Sequence, residues 1–371
     1  MQNFASQLKQ AGALTAATLL LTAALLPAAA ADDKPSVVKM RKNDVTPVSE
    51  ARKPVSVHAP FQDGDCSLCH QHKDPKDPGP ILKPVNALCL DCHDDFTKVL
   101  GRKYGHEPAR VNCVSCHSPH NAMQPKLLVA ESSALCLSCH TSVSNSLAKA
   151  SVKHDALTQK AGCMNCHNPH GANVEHLLNK LPYDLCVSCH GQDGLKDQDG
   201  KMLTNFKQLL ADNPEHHGPV ASKDCSACHV AHGGEHFRLL TKEYPAQFYS
   251  PYDPKLYGLC FDCHEESIVK EPKTTTLTKF RNGDQNLHYV HVNKDERGRT
   301  CRACHEVHAS KQKHQIRDAV PYGRNNYLLQ VNFTPTANGG MCAKTCHAAL
   351  SYTNTPAPAL TPKPASPEPA K

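Results

Sequence analysis

The chain has 371 residues, a formal charge of +6 and twenty cysteines, but no tryptophan and only 5% aromatic residues. Twenty-eight prolines and nineteen glycines interrupt it. This composition excludes an ordinary globular fold whose core consists of apolar side chains alone, and the cysteine content excludes a typical cytosolic protein.

Residues 1–31 have the features of an export signal. Lys9 lies in a short polar segment, residues 11–26 are apolar, and Pro27 precedes four alanines that fit a cleavage site before Asp32. An uncleaved membrane anchor is the alternative, but the Ala and Thr content of the stretch favours cleavage. Residues 32–57 are predicted to be a linker, and no later segment is predicted to span a membrane. We therefore expect a periplasmic, outer-membrane-associated or secreted protein.

All twenty cysteines fall into ten short pairs, and a histidine follows the second cysteine of every pair. Disulfides or zinc sites would also use paired cysteines, but neither predicts the adjacent histidine. C-x-x-C-H is the attachment signature of haem c, which needs two thioether bonds and an axial imidazole. The predicted thioether cysteines are Cys66, Cys69, Cys89, Cys92, Cys113, Cys116, Cys136, Cys139, Cys163, Cys166, Cys186, Cys189, Cys225, Cys228, Cys260, Cys263, Cys301, Cys304, Cys342 and Cys346.

The histidine of each motif is the predicted proximal ligand of a haem iron. The tenth motif, C-x-x-x-C-H at 342–347, has one additional residue. A bulge between the two thioethers can absorb that residue, so a tenth haem is predicted there as well. Lys344 lies inside this short loop and is not expected to be an axial ligand. The predicted proximal histidines are His70, His93, His117, His140, His167, His190, His229, His264, His305 and His347.

The odd-numbered motifs carry further histidines on both sides. One lies seven to ten residues before the first cysteine, and another lies two or three residues after the proximal histidine. The even-numbered motifs lack these companions and have Leu or Met before the first cysteine. Two motifs, one of each kind, therefore form one repeat, and the repeat occurs five times.

Ten additional histidines for ten predicted haems indicate that a second imidazole closes the sixth position of every iron. A residue three positions beyond the proximal ligand reaches about 10 Å along the chain. It starts on the proximal side, so we expect it to bind the next haem rather than its own. The histidine before the motif could serve its own haem or a neighbour. The predicted distal ligands are His58, His72, His106, His120, His154, His170, His217, His232, His291 and His308.

Several histidines leave alternatives open for the distal ligands. His72 departs from the pattern because it stands two residues after its motif, and His288 competes with His291. His216 stands next to His217, which the shared H-x-P pattern favours. Two more histidines could substitute for an assigned ligand because they share one register after their motifs, namely His176 and His314.

The spacing of the motifs predicts two regions. First cysteines are 23–27 residues apart through the sixth motif and 35–41 residues apart afterwards. Residues 58–190 are therefore predicted to be a compact six-haem region, and 191–347 a four-haem region with longer loops. The insertions are expected to be solvated connectors, with docking of a partner as the alternative; they are 191–216, 241–256 and 265–290.

The predicted fold is that of a multihaem cytochrome c. Short α-helices at the motifs, joined by coil, would wrap around a chain of haems in five two-haem repeats, with little or no β-sheet. The porphyrins would supply most of the apolar interior. Residues 348–371 are rich in Pro and Ala and are predicted to be a disordered tail.

The chain resembles multihaem c-type cytochromes with doubled C-x-x-C-H motifs, on the segments CVSCHSPH, CMNCHNPH and CSACHVAH. With ten motifs over residues 58–347, it is most similar to the periplasmic decahaem cytochromes of porin–cytochrome conduits. The resemblance implies a multi-electron carrier or wire in extracellular or anaerobic respiratory electron transfer. The implied partners are a periplasmic or inner-membrane donor, an outer-membrane porin and an extracellular cytochrome.

Two other functions compete with an electron carrier, namely a multihaem reductase with one open haem and a subunit of a cytochrome filament. A reductase needs an open iron position, for which the tenth motif is the candidate. Every motif ends in histidine and the spare histidines exceed the demand, so an electron carrier without catalytic residues is predicted. Nucleic acid is not an expected partner, because haem propionates would more than cancel the basic charge.

Overall fold

The computed structural model describes residues 53–355, except 160, 324, 326, 344 and 345. The predicted signal peptide (1–31), most of the predicted linker (32–52) and the end of the predicted tail (356–371) lie outside the described residues. Within the described part of the chain, no helix is both long and apolar enough to span a membrane.

The helices are short because the motifs follow one another at close intervals along the chain. Each contains between four and nine residues. Proline at the first turn favours the start of several of them, as at Pro182 in one of the two nine-residue helices. The Glu131 carboxylate caps another helix by accepting from the Ala134 N–H. The helices are α1 (Ala59–Gln62), α2 (Val85–Leu90), α3 (Asp95–Leu100), α4 (Glu107–Val111), α5 (Ser132–Cys139), α6 (Thr141–Lys149), α7 (Pro182–His190), α8 (Phe206–Asp212), α9 (Gly218–Ala221), α10 (Gly258–Phe261), α11 (Ser267–Lys270) and α12 (Leu287–Val292).

Single 3₁₀ turns fall at two recurrent places. Most of the odd-numbered motifs form such a turn, and a second turn follows about nine residues later. Where the second turn is present, its middle residue is in the left-handed region, for example Lys126 with φ 59°. The turns are Cys66–Leu68, Cys113–Ser115, Pro125–Leu127, Asp155–Leu157, Gly162–Asn165, Glu175–Leu177, Phe237–Leu239, Pro254–Tyr257, Cys301–Ala303 and Lys313–Gln315.

Most strands are two residues long, and most of their pairs join segments that are distant in sequence. The first twelve are β1 (Ser56–Val57), β2 (Tyr104–Gly105), β3 (Asn121–Ala122), β4 (Val152–Lys153), β5 (Gly171–Ala172), β6 (Glu215–His216), β7 (Gly233–Gly234), β8 (Tyr249–Ser250), β9 (Arg281–Asn282), β10 (Gln285–Asn286), β11 (Gly298–Arg299) and β12 (Ala309–Ser310). They form the antiparallel pairs β1–β3, β2–β5, β4–β7, β6–β12, β8–β11 and β9–β10.

The C-terminal part contains more sheet than the sequence indicated. A hairpin joins β13 (Ala319–Tyr322) and β14 (Tyr327–Gln330), and a three-stranded antiparallel sheet contains β15 (Phe333–Thr336), β16 (Gly339–Cys342) and β17 (Leu350–Thr353). Aromatic and β-branched residues such as Tyr327, Phe333 and Thr334 favour extended backbone here. The strand β17 occupies residues that were predicted to begin the disordered tail.

The protein part has a small core. Tyr257 and Asn286 are the largest side chains buried completely. Tyr244, in the 241–256 insertion, is buried and packs edge to face against Tyr257, so part of this insertion is anchored to the core while much of the rest is exposed as expected. Most other apolar side chains face one continuous cavity of about 4840 Å³, which extends from His58 to Asn354. The fold therefore encloses a volume that its own side chains do not fill.

Candidate haem-binding site

The motif spacing places two thiols and one imidazole on the same side of a helical turn. In the odd motifs the backbone N–H of the histidine donates to the carbonyl of the first cysteine, as from His117 to Cys113 at 3.1 Å. The even motifs begin similarly, with a bond from His93 to Cys89 at 3.0 Å. Residues at positions i, i+3 and i+4 of such a turn point in one direction. Local sequence alone thus assembles the three side chains of the C-x-x-C-H motifs, whereas the first cysteine of the tenth motif ends a strand.

A backbone carbonyl orients the histidine of every odd motif. The ring Nδ1 of His70 lies 2.8 Å from the carbonyl oxygen of Gly79, nine residues later. The same contact recurs at the same separation at His117, His167, His229 and His305, with distances of 2.7–3.1 Å. An imidazole whose Nδ1–H donates to a carbonyl presents Nε2 as a metal ligand. The carbonyl fixes both the tautomer and the direction of the ring.

His176 and His314 contribute to this arrangement through their backbones. Their carbonyls are the acceptors for His167 and His305, and each residue has a positive φ, 56° and 59°. In the first repeat Gly79 occupies the equivalent position with φ 70°. The sequence offered these two histidines as substitute ligands, whereas the structure uses their main chains.

Every motif histidine faces a second histidine at a nearly constant distance. In nine pairs the ring centroids are 6.0–6.3 Å apart and the planes differ by 11–23°. The tenth pair, His291 and His347, is 6.5 Å apart and tilted by 38°. The other pairs are His58–His93, His70–His120, His106–His140, His117–His170, His154–His190, His167–His232, His217–His264, His229–His308 and His288–His305.

This nearly constant separation matches two imidazoles on opposite sides of one metal ion. A zinc–imidazole bond is about 2.0–2.1 Å long and the ring centre lies about 1 Å behind the nitrogen, so two such ligands place their centroids about 6.2 Å apart. Burial also lowers the pKa of His288 to about 4, which leaves its ring neutral, as a metal ligand must be.

Nine of the ten predicted distal histidines are in these pairs, and His72 is not. The His72 Nδ1 lies 3.1 Å from the Asp77 carbonyl oxygen, and the side chain is half exposed. The tenth partner is His288, which lies opposite His305. The remaining histidines have other contacts: the His216 Nε2 lies 3.1 Å from the Leu210 carbonyl oxygen, and the His236 Nδ1 lies 3.1 Å from a Glu243 carboxylate oxygen.

The pairs follow a rule that connects consecutive repeats. Each histidine before an odd motif faces the even motif of its own repeat, as His58 faces His93. The histidine three residues after an odd motif faces the odd motif of the preceding repeat, as His120 faces His70. We call the latter the strap histidines, namely His120, His170, His232 and His308. Each strap histidine does connect two sites. The sequence suggested that the second site would be the next one along the chain, whereas in the structure it lies two motifs earlier.

The two-residue strand pairs explain this connection. Strand β1 precedes His58 and pairs with β3, which follows His120 in the next repeat, and the His58 N–H donates to the His120 carbonyl at 2.8 Å. Three more pairs place the corresponding residues of later repeats together, namely β2–β5, β4–β7 and β6–β12. Each two-site unit therefore receives one facing histidine from its own repeat and one from the next.

The same rule accounts for the exceptions at both ends of the array. The first repeat has no predecessor, so the strap position has no site to serve and His72 is left on the surface. Residues 348–371 contain no further motif, and the histidine opposite His305 does not come from a strap position. Helix α12 supplies it instead: His288 and His291, three positions apart, face the ninth and tenth motifs. Their i, i+3 spacing on a helix is the sequence signal that could have identified His288.

Asn286 holds α12 in place, and its replacement is expected to be costly. The buried amide donates to the carbonyls of Ile268 and Glu271 at 2.8 Å, and its oxygen accepts from the His288 N–H at 3.0 Å. We expect Asn286→Ala to lower the free energy of unfolding by about 2–4 kcal/mol, because it removes a helix cap and leaves two partly buried carbonyls unpaired. Denaturant unfolding monitored by circular dichroism measures this loss. Asn286→Ser keeps an oxygen that can cap the helix and is expected to lose less; a wild-type midpoint for Asn286→Ala would contradict the assignment.

The cysteines show that consecutive motifs are neighbours in space. Burial and the adjacent Cys113 thiol raise the pKa of Cys89 to about 11, and burial together with Cys92 raises the pKa of Cys69. One kind of contact joins the first cysteines of two consecutive motifs, as in Cys89–Cys113, and the other joins the second cysteines, as in Cys69–Cys92. The two kinds alternate and connect all ten motifs in sequence order. The interacting cysteines are Cys69–Cys92, Cys89–Cys113, Cys116–Cys139, Cys136–Cys163, Cys166–Cys189, Cys186–Cys225, Cys228–Cys263, Cys260–Cys301 and Cys304–Cys346.

Haem fits this site by three independent measures. The histidine pairs have the spacing of bis-imidazole metal ligation, and each pair lies beside two cysteines. The cavity that contains them is lined mainly by apolar side chains, and one tenth of it is about 480 Å³, within the range of sites for single organic ligands. Among the described residues, no group of three or more His, Cys, Asp and Glu side chains is arranged as ligands of a bare metal ion.

The family comparison agrees with the geometry. The model of the doubled CXXCH motif matches residues 58–98, 106–145, 154–195 and 217–268. These segments are the first four repeats, and each match begins at the histidine before the odd motif. A comparison with curated proteins gave no match. The doubled CXXCH motifs therefore indicate a multihaem c-type cytochrome with covalently bound haem c.

Proposed function

We propose that the chain is a decahaem electron carrier in which every iron has two histidine ligands. The two cysteines of each motif form the thioethers, the motif histidine is the proximal ligand, and the histidine opposite is the distal ligand. In this assignment His288 takes the place that the sequence gave to His72. Haem supplies a one-electron couple at each site, and the polypeptide holds the sites in a fixed order.

One observation carries the proposal: all ten motif histidines face a second histidine of the same chain. A fully ligated iron offers no position to a substrate, which disfavours a reductase with an open haem, including at the tenth motif. It also disfavours a filament completed by histidines of neighbouring subunits, because no motif histidine lacks a partner and only His72 is left over at a strap position.

The arrangement of the cysteines supports a linear array. The nine alternating cysteine links place each motif beside the one before and the one after it. The first and tenth motifs are then the two ends, through which donors and acceptors would be reached. The division into a compact six-haem region and a more open four-haem region remains part of this proposal.

We further propose that the chain works after export, in the periplasm or at the outer membrane. The basis is the predicted signal peptide of residues 1–31 together with haem c, which is attached outside the cytoplasm. A periplasmic or inner-membrane donor and an outer-membrane porin with an extracellular cytochrome are the proposed partners, in extracellular or anaerobic respiration. Co-purification of a barrel protein from outer membranes would support this placement, and its absence there would count against it.

The coordination is tested on the protein exported by a host that matures c-type cytochromes. We expect the mass of the polypeptide after cleavage plus ten haems, and an electron paramagnetic resonance spectrum of low-spin ferric iron alone. A high-spin signal in the wild-type protein would favour the reductase. A mass equal to that of bare polypeptide, or of polypeptide with zinc, would overturn the whole proposal.

A further inference from the structure

One strap histidine has a charged neighbour that the other three lack. The Nδ1 of His308 lies 3.6 Å from the Glu306 Oε1, across the ring from His229. Residues two positions before the other strap histidines are uncharged, namely Ser118, Asn168 and Val230. Within the described part of the chain, His308 is the one paired histidine with a carboxylate within 4 Å.

The carboxylate of Glu306 is held in place by an ion pair with Arg317. The Arg317 Nη2 donates to the Glu306 Oε2 at 2.6 Å, and the arginine side chain is only 7% exposed. Phe206 packs edge-on against the His308 ring at 4.8 Å and limits its rotation. The Nδ1 of the ring therefore stays beside the carboxylate, at ion-pair distance.

We propose that Glu306 is a positioning residue that lowers the reduction potential of the haem bound between His229 and His308. The inference rests on the proposed function, since it needs His308 as an iron ligand. A negative charge beside the far nitrogen of an axial imidazole makes the ring a stronger donor, as the carboxylate does in carboxylate–histidine–metal triads. The stronger donor and the nearby negative charge both favour ferric over ferrous iron. One site near the middle of the array thus differs in potential from its neighbours.

Glu306→Gln tests this without removing the side chain. We expect the ratio of ferrous to ferric iron at this one haem to rise about tenfold at a fixed potential, which is about 59 mV for a one-electron couple. A redox titration of the ten-haem protein followed in the Soret band gives the measurement. The difference between variant and wild type should integrate to one tenth of the haem.

A matched control is available in the same part of the chain. Glu243 lies 3.1 Å from the Nδ1 of His236, but His236 faces no motif histidine, so Glu243→Gln removes a similar charge without touching an axial ligand. It should leave the titration unchanged. If Glu306→Gln keeps ten low-spin haems and its titration matches that of the wild type, the inference is wrong while the proposed function stands. A wild-type protein without low-spin haem would overturn the proposed function itself.

A second variant separates charge from packing. Arg317→Gln leaves the Glu306 carboxylate without its counter-charge, so the same haem is expected to shift in the opposite direction. Shifts of one sign in both variants would indicate a packing effect and overturn the electrostatic explanation. If the Arg317→Gln variant does not accumulate, the comparison of Glu306→Gln with Glu243→Gln decides whether Glu306 lowers the reduction potential.

Discussion

Replacing His120 by Ala is expected to open one of the ten irons, at the first motif. His120 lies opposite His70 at 6.2 Å, although 50 residues separate them in the sequence. Without the distal imidazole, that iron has a free axial position. We expect about one tenth of the haem to become high-spin and to bind one equivalent of carbon monoxide per protein. Electron paramagnetic resonance and a carbon monoxide titration give these two quantities.

His72→Ala is the control for this experiment. His72 stands after the first odd motif as His120 stands after the second, yet it faces no motif histidine. All ten haems of the His72→Ala variant should remain low-spin and should not bind carbon monoxide. The reverse outcome, in which His72→Ala opens a haem and His120→Ala leaves all haems low-spin, would show that strap histidines are ligands within their own repeat.

The double replacement His288→Ala and His291→Ala is expected to open two irons, those of the ninth and tenth motifs. Both histidines lie on α12 and face His305 and His347. We expect about two tenths of the haem to become high-spin and to bind carbon monoxide. The single variants should each account for half of the effect, because the two histidines face different motifs.

His314→Ala is the control for α12, since His314 contributes its carbonyl to His305 and its ring faces no motif histidine. Ten low-spin haems are expected in this variant. If instead the His288→Ala variant stayed entirely low-spin and His314→Ala did not, His314 would be the distal ligand of the ninth haem, as the sequence allowed.

The tilted pair at the tenth motif also follows from its surroundings. Its first cysteine ends β16 and is not part of a helical turn, and Phe280 packs between His288, His291 and Tyr352 at 5.1–5.7 Å. The additional residue of C-x-x-x-C-H and the sheet around it thus coincide with the one pair whose rings are not nearly parallel. No other motif in the described residues lies in a sheet.

The sequence by itself determined the chemistry of each attachment site. Two cysteines and a histidine at i, i+3 and i+4 meet on one helical turn whatever the rest of the chain does, so Cys113, Cys116 and His117 could be read directly. Counting histidines against motifs also predicted that each motif histidine would face a second one. Both inferences depend only on local geometry and on numbers of residues.

Only the tertiary structure decided which histidines meet. The partner of His70 comes from the next repeat because β1 pairs with β3, and a two-residue strand pair has no signal in a sequence where most of the chain is coil. The ends of the array show the same dependence: His72 stands close to a strap position, two residues after its motif, but no repeat precedes it, and His288 lacks that pattern but lies on a helix held by the buried Asn286. Ligation across repeats is a long-range contact, and residue spacing constrains only the short-range ones.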